Sequence, residues 1–268
     1  IDHSQLMTVL FDEINKLPQI VNYIGRDSKD SNFIYEMEIA ADGSFSSNRE
    51  RWGINKWRTS YKTGCVTAQI LLRGTPANSA YEIFREEGPL ALLPMGGDKF
   101  QLVLTTSLIK CIELTNLPNH IFLDRLAGIL PSGFEPDVVL DELKYFPLEL
   151  SVASSLSKGK SFLIGESAHR CHPVGGQGLN VCWRDVSTFV KLLNRDFFSY
   201  SCIRNLGFKY SLSRYPDILF VSLFTHLITL IYSGNNKLIL ILRYPVLYIM
   251  KRNKLIRVLV LKLMTEGL

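Results

Sequence analysis

Apolar residues recur at helical spacing near the start of the chain, at Leu6, Val9, Leu10, Ile14 and Leu17, and Pro18 ends the pattern. The spacing predicts a helix over 5–17. Polar residues at 26–32 predict a loop, and 33–41 reads as a strand that stops at the turn dipeptide Asp42-Gly43. Ser47 and Glu50 stand at capping-box spacing, which predicts a helix start there. The middle of the chain changes to β patterning. Residues 65–72 are β-rich, Glu87-Gly88-Pro89 is a turn, and 90–94 is an apolar run. Gly96-Gly97-Asp98 predicts a hairpin turn into a strand over 100–106. A short helix is predicted over 123–130, and a short buried strand over 161–164 runs into Gly165. After Gly175-Gly176-Gln177-Gly178, the positions Leu179, Cys182, Val186, Phe189 and Leu193 predict a helix over 179–193.

The last part, 217–264, is apolar and helical in character. Leu219, Leu223, Leu227, Leu230 and Ile231 form one stripe; Ser222, Thr225, His226, Thr229 and Ser233 form another. The uncharged stretch 218–236 is near the length of a membrane span, but its Ser, Thr and His content argues against one.

Composition narrows the class. Hydrophobic residues make up 47% of the 268 and charged residues 21%, which excludes general disorder and leaves ample material for a core. The net charge of +5 does not imply nucleic acid. Its distribution is more informative. No acid occurs over 218–265, whereas Lys237, Arg243, Lys251, Arg252, Lys254, Arg257 and Lys262 all do. Cys65, Cys111, Cys171, Cys182 and Cys202 are scattered and odd in number, a pattern of a reducing compartment. The start of the chain has no signal-peptide pattern.

Two strand-to-helix corners carry the candidate chemistry. At 162–180, a buried strand, a tight turn and a Pro-containing loop lead to three glycines that open a helix. Glycines let a ligand approach the backbone, and the free N–H groups and dipole of the helix start suit an anion or an electron-rich ring. At 40–50, a strand, an Asp-Gly turn and a capped helix start place Arg49 where a phosphate could meet it. Each corner alone also fits a purely structural turn. Two other chemistries remain open from the residues. Gly165-Glu166-Ser167-Ala168-His169 after a strand mimics a hydrolase nucleophile elbow with Ser167 as nucleophile, though the fifth position is not glycine. His169, Cys171, His172 and Cys182 carry metal-ligand side chains, though with paired spacing on one side only.

The two corners together resemble the FAD-dependent aromatic hydroxylases of the para-hydroxybenzoate hydroxylase type. More narrowly they resemble the ubiquinone-biosynthesis hydroxylases, the group of 2-octaprenyl-6-methoxyphenol hydroxylase. Ala41-Asp42-Gly43-Ser44 through Arg49-Glu50 is similar to that family's Asp-Gly motif. Gly165 through Asn180, followed by Arg184-Asp185, is similar to its Gly-Asp region. Glu87-Gly88-Pro89-Leu90-Ala91-Leu92-Leu93-Pro94 is similar to the strand between them. The resemblance implies an α/β fold, in which an α+β substrate sheet is inserted in a Rossmann-type flavin-binding remnant and the C-terminus is helical. It implies a partial FAD-binding domain at 1–60 and 150–205, a β-rich substrate domain at 61–149 and a C-terminal helical region at 206–268. FAD and NAD(P)H are the implied cofactors, and a polyprenyl phenol is the implied substrate.

By the family pattern, Asp42, Gly43 and Arg49 serve FAD and the nicotinamide donor. Gly165 is cofactor-binding, Glu166 faces the ribityl chain, and Pro173, Gly175, Gly176, Gln177, Gly178, Leu179 and Asn180 lie along the isoalloxazine ring. His169 and His172 are candidates for polar contacts beside that ring. The family pattern has Asp or Asn where this chain has Glu166. No GxGxxG follows a first strand. The expectation is therefore a fragment, one half of a split enzyme whose N-terminal half is encoded separately, or a non-catalytic assembly remnant. The basic, apolar C-terminal part predicts peripheral membrane contact through 238–242 and 246–250, on the cytoplasmic face or, in a eukaryote, the mitochondrial matrix side.

Overall fold

A computed structural model describes residues 3–25, 35–196, 202–232, 248–249 and 251–267. The loop at 26–32 and the segments 238–242 and 246–247, with Met250, Arg243 and Lys237, lie outside the described residues. The chain is a mixed α/β molecule. After helix α1 (His3–Asn15), strand β1 (Glu38–Ala40) runs parallel to β9 (Ser161–Leu163), pairing Ile39 with Phe162. Strand β8 (Ser157–Lys158) lies antiparallel on the other side of β9. This three-stranded sheet leads both motif corners out at the same end.

The second sheet is curled around β2 (Lys56–Arg73). Its strand order is β10 (His169–Arg170), β7 (Lys144–Ala153), β2, β5 (Lys99–Ser107), β4 (Leu90–Gly96) and β3 (Tyr81–Ile83), and β6 (Glu135–Val139) also pairs with β2. A register shift between Ser60 and Gly64 lets β2 bend. A side chain at Gly64 would bring its Cβ within 2.9 Å of the Phe146 carbonyl oxygen, so only glycine fits there. Alternation along the strands places Val66, Ala68, Ile70 and Leu72 on one face. There they pack with Leu90, Leu92, Phe100 and Leu102 beneath α3 (Leu108–Thr115) and α4 (Asn119–Ala127).

A second core joins the three-stranded sheet to α5 (Gln177–Asp196) and α6 (Cys202–Tyr232). Phe162, Phe189 and Tyr210 form a chain of edge-on rings, with centroids 5.1 and 5.5 Å apart. The last helix, α7 (Lys254–Glu266), is capped by Asn253, whose Oδ1 accepts from the Ile256 N–H at 3.1 Å.

Several elements depart from the sequence pattern. The short helix α2 (Ser47–Arg51) is capped by Ser46, not Ser47: the Ser46 hydroxyl accepts from the Arg49 N–H at 2.9 Å. The helix expected at 123–130 begins earlier, at Asn119. α6 starts well before 217 and runs through Pro216. Its stripes are inverted relative to a soluble amphipathic helix. Ser222, Thr225 and Thr229 are buried, while Leu219, Leu223, Leu227 and Leu230 are exposed. The threonines tolerate burial because each hydroxyl donates to the carbonyl four residues back, Thr225 to Val221 at 2.9 Å and Thr229 to Thr225 at 2.8 Å. By length and composition alone, Asn205–Ile231 would be long and apolar enough to cross a membrane.

Candidate flavin site

The two corners meet. The Ile164 N–H donates to the Ala40 carbonyl at 3.0 Å, so the ends of β1 and β9 are held together. Arg49 is buried, and its guanidinium is occupied by backbone: Nη1 donates to Ser167 O at 3.1 Å and to Ser44 O at 3.4 Å. It stitches one motif to the other. Asp42 Oδ2 accepts from the backbone N–H and side-chain amide of Asn48, at 3.2 and 3.1 Å, which shapes the Asp-Gly turn. Gly43 takes φ +79°, a conformation open to glycine.

Ser167 cannot act as a hydrolase nucleophile in this arrangement. It is buried, and its hydroxyl lies 2.8 Å from the Ala40 carbonyl and 2.9 Å from the Ile164 carbonyl, which it serves as donor. The metal reading fails as well. His169 is committed to Asp185, and among the described residues no group of three or more His, Cys, Asp or Glu could hold an ion. Cys171 and Cys182 are held as neutral thiols: burial pushes the first up to about 11 and the second to about 12.

The Gly165 turn is anchored from behind by Asp185 on α5. One carboxylate oxygen accepts the Gly165 N–H at 2.9 Å and lies 2.6 Å from His169 Nε2. The other accepts Arg214 Nε at 2.7 Å. Arg214 Nη1 continues to Asp217 at 2.8 Å, and Arg184 reaches the same carboxylate at 3.1 Å. Burial alone would raise the Asp185 carboxyl. His169 and Arg214 outweigh it and hold the group below its ordinary value. The polar role of this network was not legible in the sequence, where Arg184-Asp185 served only as part of a motif. Its members come from α5, α6 and the turn, and no local pattern links them.

Of the two loop histidines, His169 is thus structural. His172 is different. Its Nδ1 accepts from the Val174 N–H at 3.3 Å, which leaves the proton on Nε2, a buried atom without a hydrogen-bond partner. Burial, with His226 nearby, pushes its pKa down to about 4, so the ring is neutral at pH 7. Tyr61 from β2 stands edge-on to it at 5.4 Å and bonds His226 Nδ1 at 2.6 Å. Burial pushes the Tyr61 hydroxyl up to about 12.

The glycine loop forms the open part of the site. Gly175 and Gly176 have φ of +71° and +63°. A Cβ on Gly176 or Gly178 would meet no atom within 4 Å, and one on Gly175 only the Gln177 amide at 3.9 Å. The backbone therefore faces free space at the start of a 20-residue helix with no acid in its first turn. That cradle and helix terminus fit a flat, electron-rich ring. Gln177 braces the loop by donating to the Gly175 carbonyl at 2.9 Å, and Asn180 reaches Gln177 at 3.5 Å. Pro173 and Leu179 are exposed beside the cradle, as is Glu166 on the 3-10 turn after β9.

A parallel strand pair brings the two strand-to-helix corners together, and the curled sheet reaches one of them through the Tyr61 ring against His172. The chain belongs to the FAD binding domain family, whose model matches residues 23–195. It is 26% identical over 243 residues to the mitochondrial ubiquinone biosynthesis monooxygenase COQ6 of Rattus norvegicus, covering 76% of this chain and 51% of that protein. It is 28% identical over 160 residues to the 3-demethoxyubiquinol 3-hydroxylase of Escherichia coli strain K12, covering 59% and 40%. An uncharacterized Synechocystis protein, slr1300, is 32% identical over 155 residues, covering 58% and 37%. The chain thus spans about half or less of the length of these relatives.

Solved structures agree on the fold. The probable FAD-dependent monooxygenase PqsL of Pseudomonas aeruginosa matches with a TM-score of 0.62 at 18% identity, covering 73% of this chain and 56% of that one. The p-nitrophenol 4-monooxygenase PnpA of Pseudomonas putida matches with 0.64 at 14%, covering 86% and 59%.

Proposed function

We propose that this chain is the flavin-ring and substrate-sheet portion of an FAD- and NAD(P)H-dependent monooxygenase, which hydroxylates the aromatic ring of a polyprenylated phenol in ubiquinone biosynthesis. The glycine cradle at the start of α5 is the observation that supports it most. When bound, FAD supplies the electron transfer and oxygen activation. The chain's own residues bind and orient. Gly175, Gly176 and Gly178 make room for the ring, and the first-turn N–H groups of α5 favour negative charge on it. Glu166 takes the ribityl chain, Asp42 and Gly43 shape the neighbouring turn, and Arg49 acts by holding the corners together.

The nucleotide half of FAD needs a further βαβ unit. Among the described residues β1 is an edge strand, and Leu179, Trp183, Val186 and Val190 make an exposed apolar stripe along α5. These surfaces suit such a unit, from the same polypeptide or a separately encoded half. An absorbance spectrum of the purified chain, alone and with that unit, tests the reading. Stoichiometric flavin bands are expected with the unit present. Protein that stays colourless in both preparations would leave the non-catalytic assembly role.

The same reading places the enzyme at a membrane surface, since its substrate carries a polyprenyl tail. The outward leucines of α6 and the exposed Leu255, Val258 and Leu259 of α7 support this, beside Lys251, Arg252 and Lys254. Co-sedimentation with anionic vesicles is expected, weakening as salt rises. Replacing the three cations by Gln should reduce it without lowering the melting temperature. Binding indifferent to lipid charge would contradict the proposal.

A further inference from the structure

A cleft of about 280 Å³ opens between α3, α4 and the end of β5. It belongs to the opposite face of the curled sheet from the glycine loop. The Gly175 amide faces Glu82, whereas Tyr81 and Ile83, one residue to either side, pack into the core under α3 and α4. Leu104 and Thr106 enter the cleft from that helix-covered face.

The floor is apolar: Leu104, Phe122 and Leu126 are all buried. The mouth carries three cations and two carboxylates, and the charges pair unevenly. Lys110 Nζ lies 2.5 Å from Glu87 Oε1, and Arg125 Nη1 lies 2.5 Å from Glu113 Oε1. The Thr106 hydroxyl also donates to Glu87, at 3.2 Å. Arg85 is the cation held least, by a long ion pair alone. Its Nη2 is 3.7 Å from Glu87, beyond hydrogen-bond range, and its buried Nη1 has no hydrogen-bond partner. Its side chain is only 17% exposed, so water compensates little.

We propose that this cleft binds an amphipathic monoanion, an apolar chain ending in a carboxylate. The cleft holds about nine water-sized volumes at ~30 Å³ each, enough for a medium-length chain. The chain would lie on Phe122 and Leu126, and the carboxylate would take the Arg85 Nη1 edge, which the long ion pair with Glu87 leaves without a hydrogen bond. A planar fork of donors matches a carboxylate better than a point charge does. The site is independent of the flavin corner and of the hydroxylase reading.

Octanoate is the probe, titrated calorimetrically into the full chain, with 1-octanol and octylamine as neutral and cationic counterparts. Octanoate is expected to bind at least tenfold more tightly than either. Arg85→Gln should bring octanoate down to the level of octanol, and Arg85→Lys, which keeps the charge and loses the fork, should fall between. Ile129→Trp, which narrows the cleft from its half-buried rim, should weaken octanoate at unchanged melting temperature. Equal binding of octanoate and octanol, no measurable octanoate binding, or octanoate binding that ignores all three substitutions would each overturn the proposal. In the last case the exposed leucines of α6 would be the place where the chain adsorbs.

Discussion

Replacing Asp185 by Ala is expected to cost about 3–5 kcal/mol of folding stability, the range for removing one partner of a buried ion pair. Asp185 is fully buried and accepts from the Gly165 N–H and Arg214 while holding His169. Its loss leaves the Arg214 cation with Asp217 alone and frees the turn that carries Glu166. Asp185→Asn keeps the shape and loses the charge, so a smaller cost is expected. The midpoint of urea unfolding measures both, and a shift under 1 kcal/mol for the alanine variant would show that the network is not holding the turn.

The same carboxylate sets an acid limb. Its folded pKa lies below its ordinary 3.8, so its stabilisation is complete above that value. It is lost as pH falls through the folded value, because the unfolded chain then binds the proton more readily. Stability should therefore drop below about pH 4, and the drop should be shallower in Asp185→Asn. An equally steep acid limb in that variant would assign the effect to other carboxylates.

Gly178→Val is expected to abolish flavin binding while leaving the fold intact, with Gly178→Ala as the milder form. Gly178 is in the first turn of α5 without the positive φ of Gly175 and Gly176, and a Cβ there meets no protein atom within 4 Å. The protein itself therefore has no objection to a side chain. In a helix, alanine in place of glycine gains up to about 1 kcal/mol. A bound ring does object, because it needs the same space. FAD affinity should fall at least tenfold in the alanine variant, about 1.4 kcal/mol, with an unchanged or raised melting temperature. The measurement is a fluorescence titration of FAD into the chain with its nucleotide-binding unit. Unaltered affinity in both variants would move the ring away from this loop. Gly176→Val is a less clean test, since its φ of +63° strains any L-residue before a ligand is considered.

The residues proposed to face the ligand were legible because their constraint is local. Gly43, Gly175 and Gly176 take a positive φ that favours glycine, Gly178 leaves the helix start bare although the protein has room for a side chain there, and Asp42-Gly43 turns between a strand and a helix. Such demands fix residue type at fixed spacing, which a sequence displays directly. The helix after the loop and the hairpin at Gly96-Gly97-Asp98 were equally plain, since period and turn chemistry are short-range. Arg49 was visible as a basic residue in the motif, but its direction was not. It reads as a phosphate ligand in one dimension and proves to be a buried clamp on Ser44 and Ser167, because Ser167 is brought to it by the β1–β9 pairing.

What tertiary structure alone decided follows the same division. Two loop histidines three residues apart look equivalent in sequence. Asp185 claims His169, whereas burial, with His226 nearby, leaves His172 neutral. The Ser167 hydroxyl looked like a nucleophile and is spent on two carbonyls. On α6 the periodicity announced a helix with two stripes, yet not which faces inward. Threonine hydroxyls that bond their own helix can be buried cheaply, so the leucines were free to face out. Periodicity determines that a face exists. Which side of it meets protein depends on what the rest of the chain brings there.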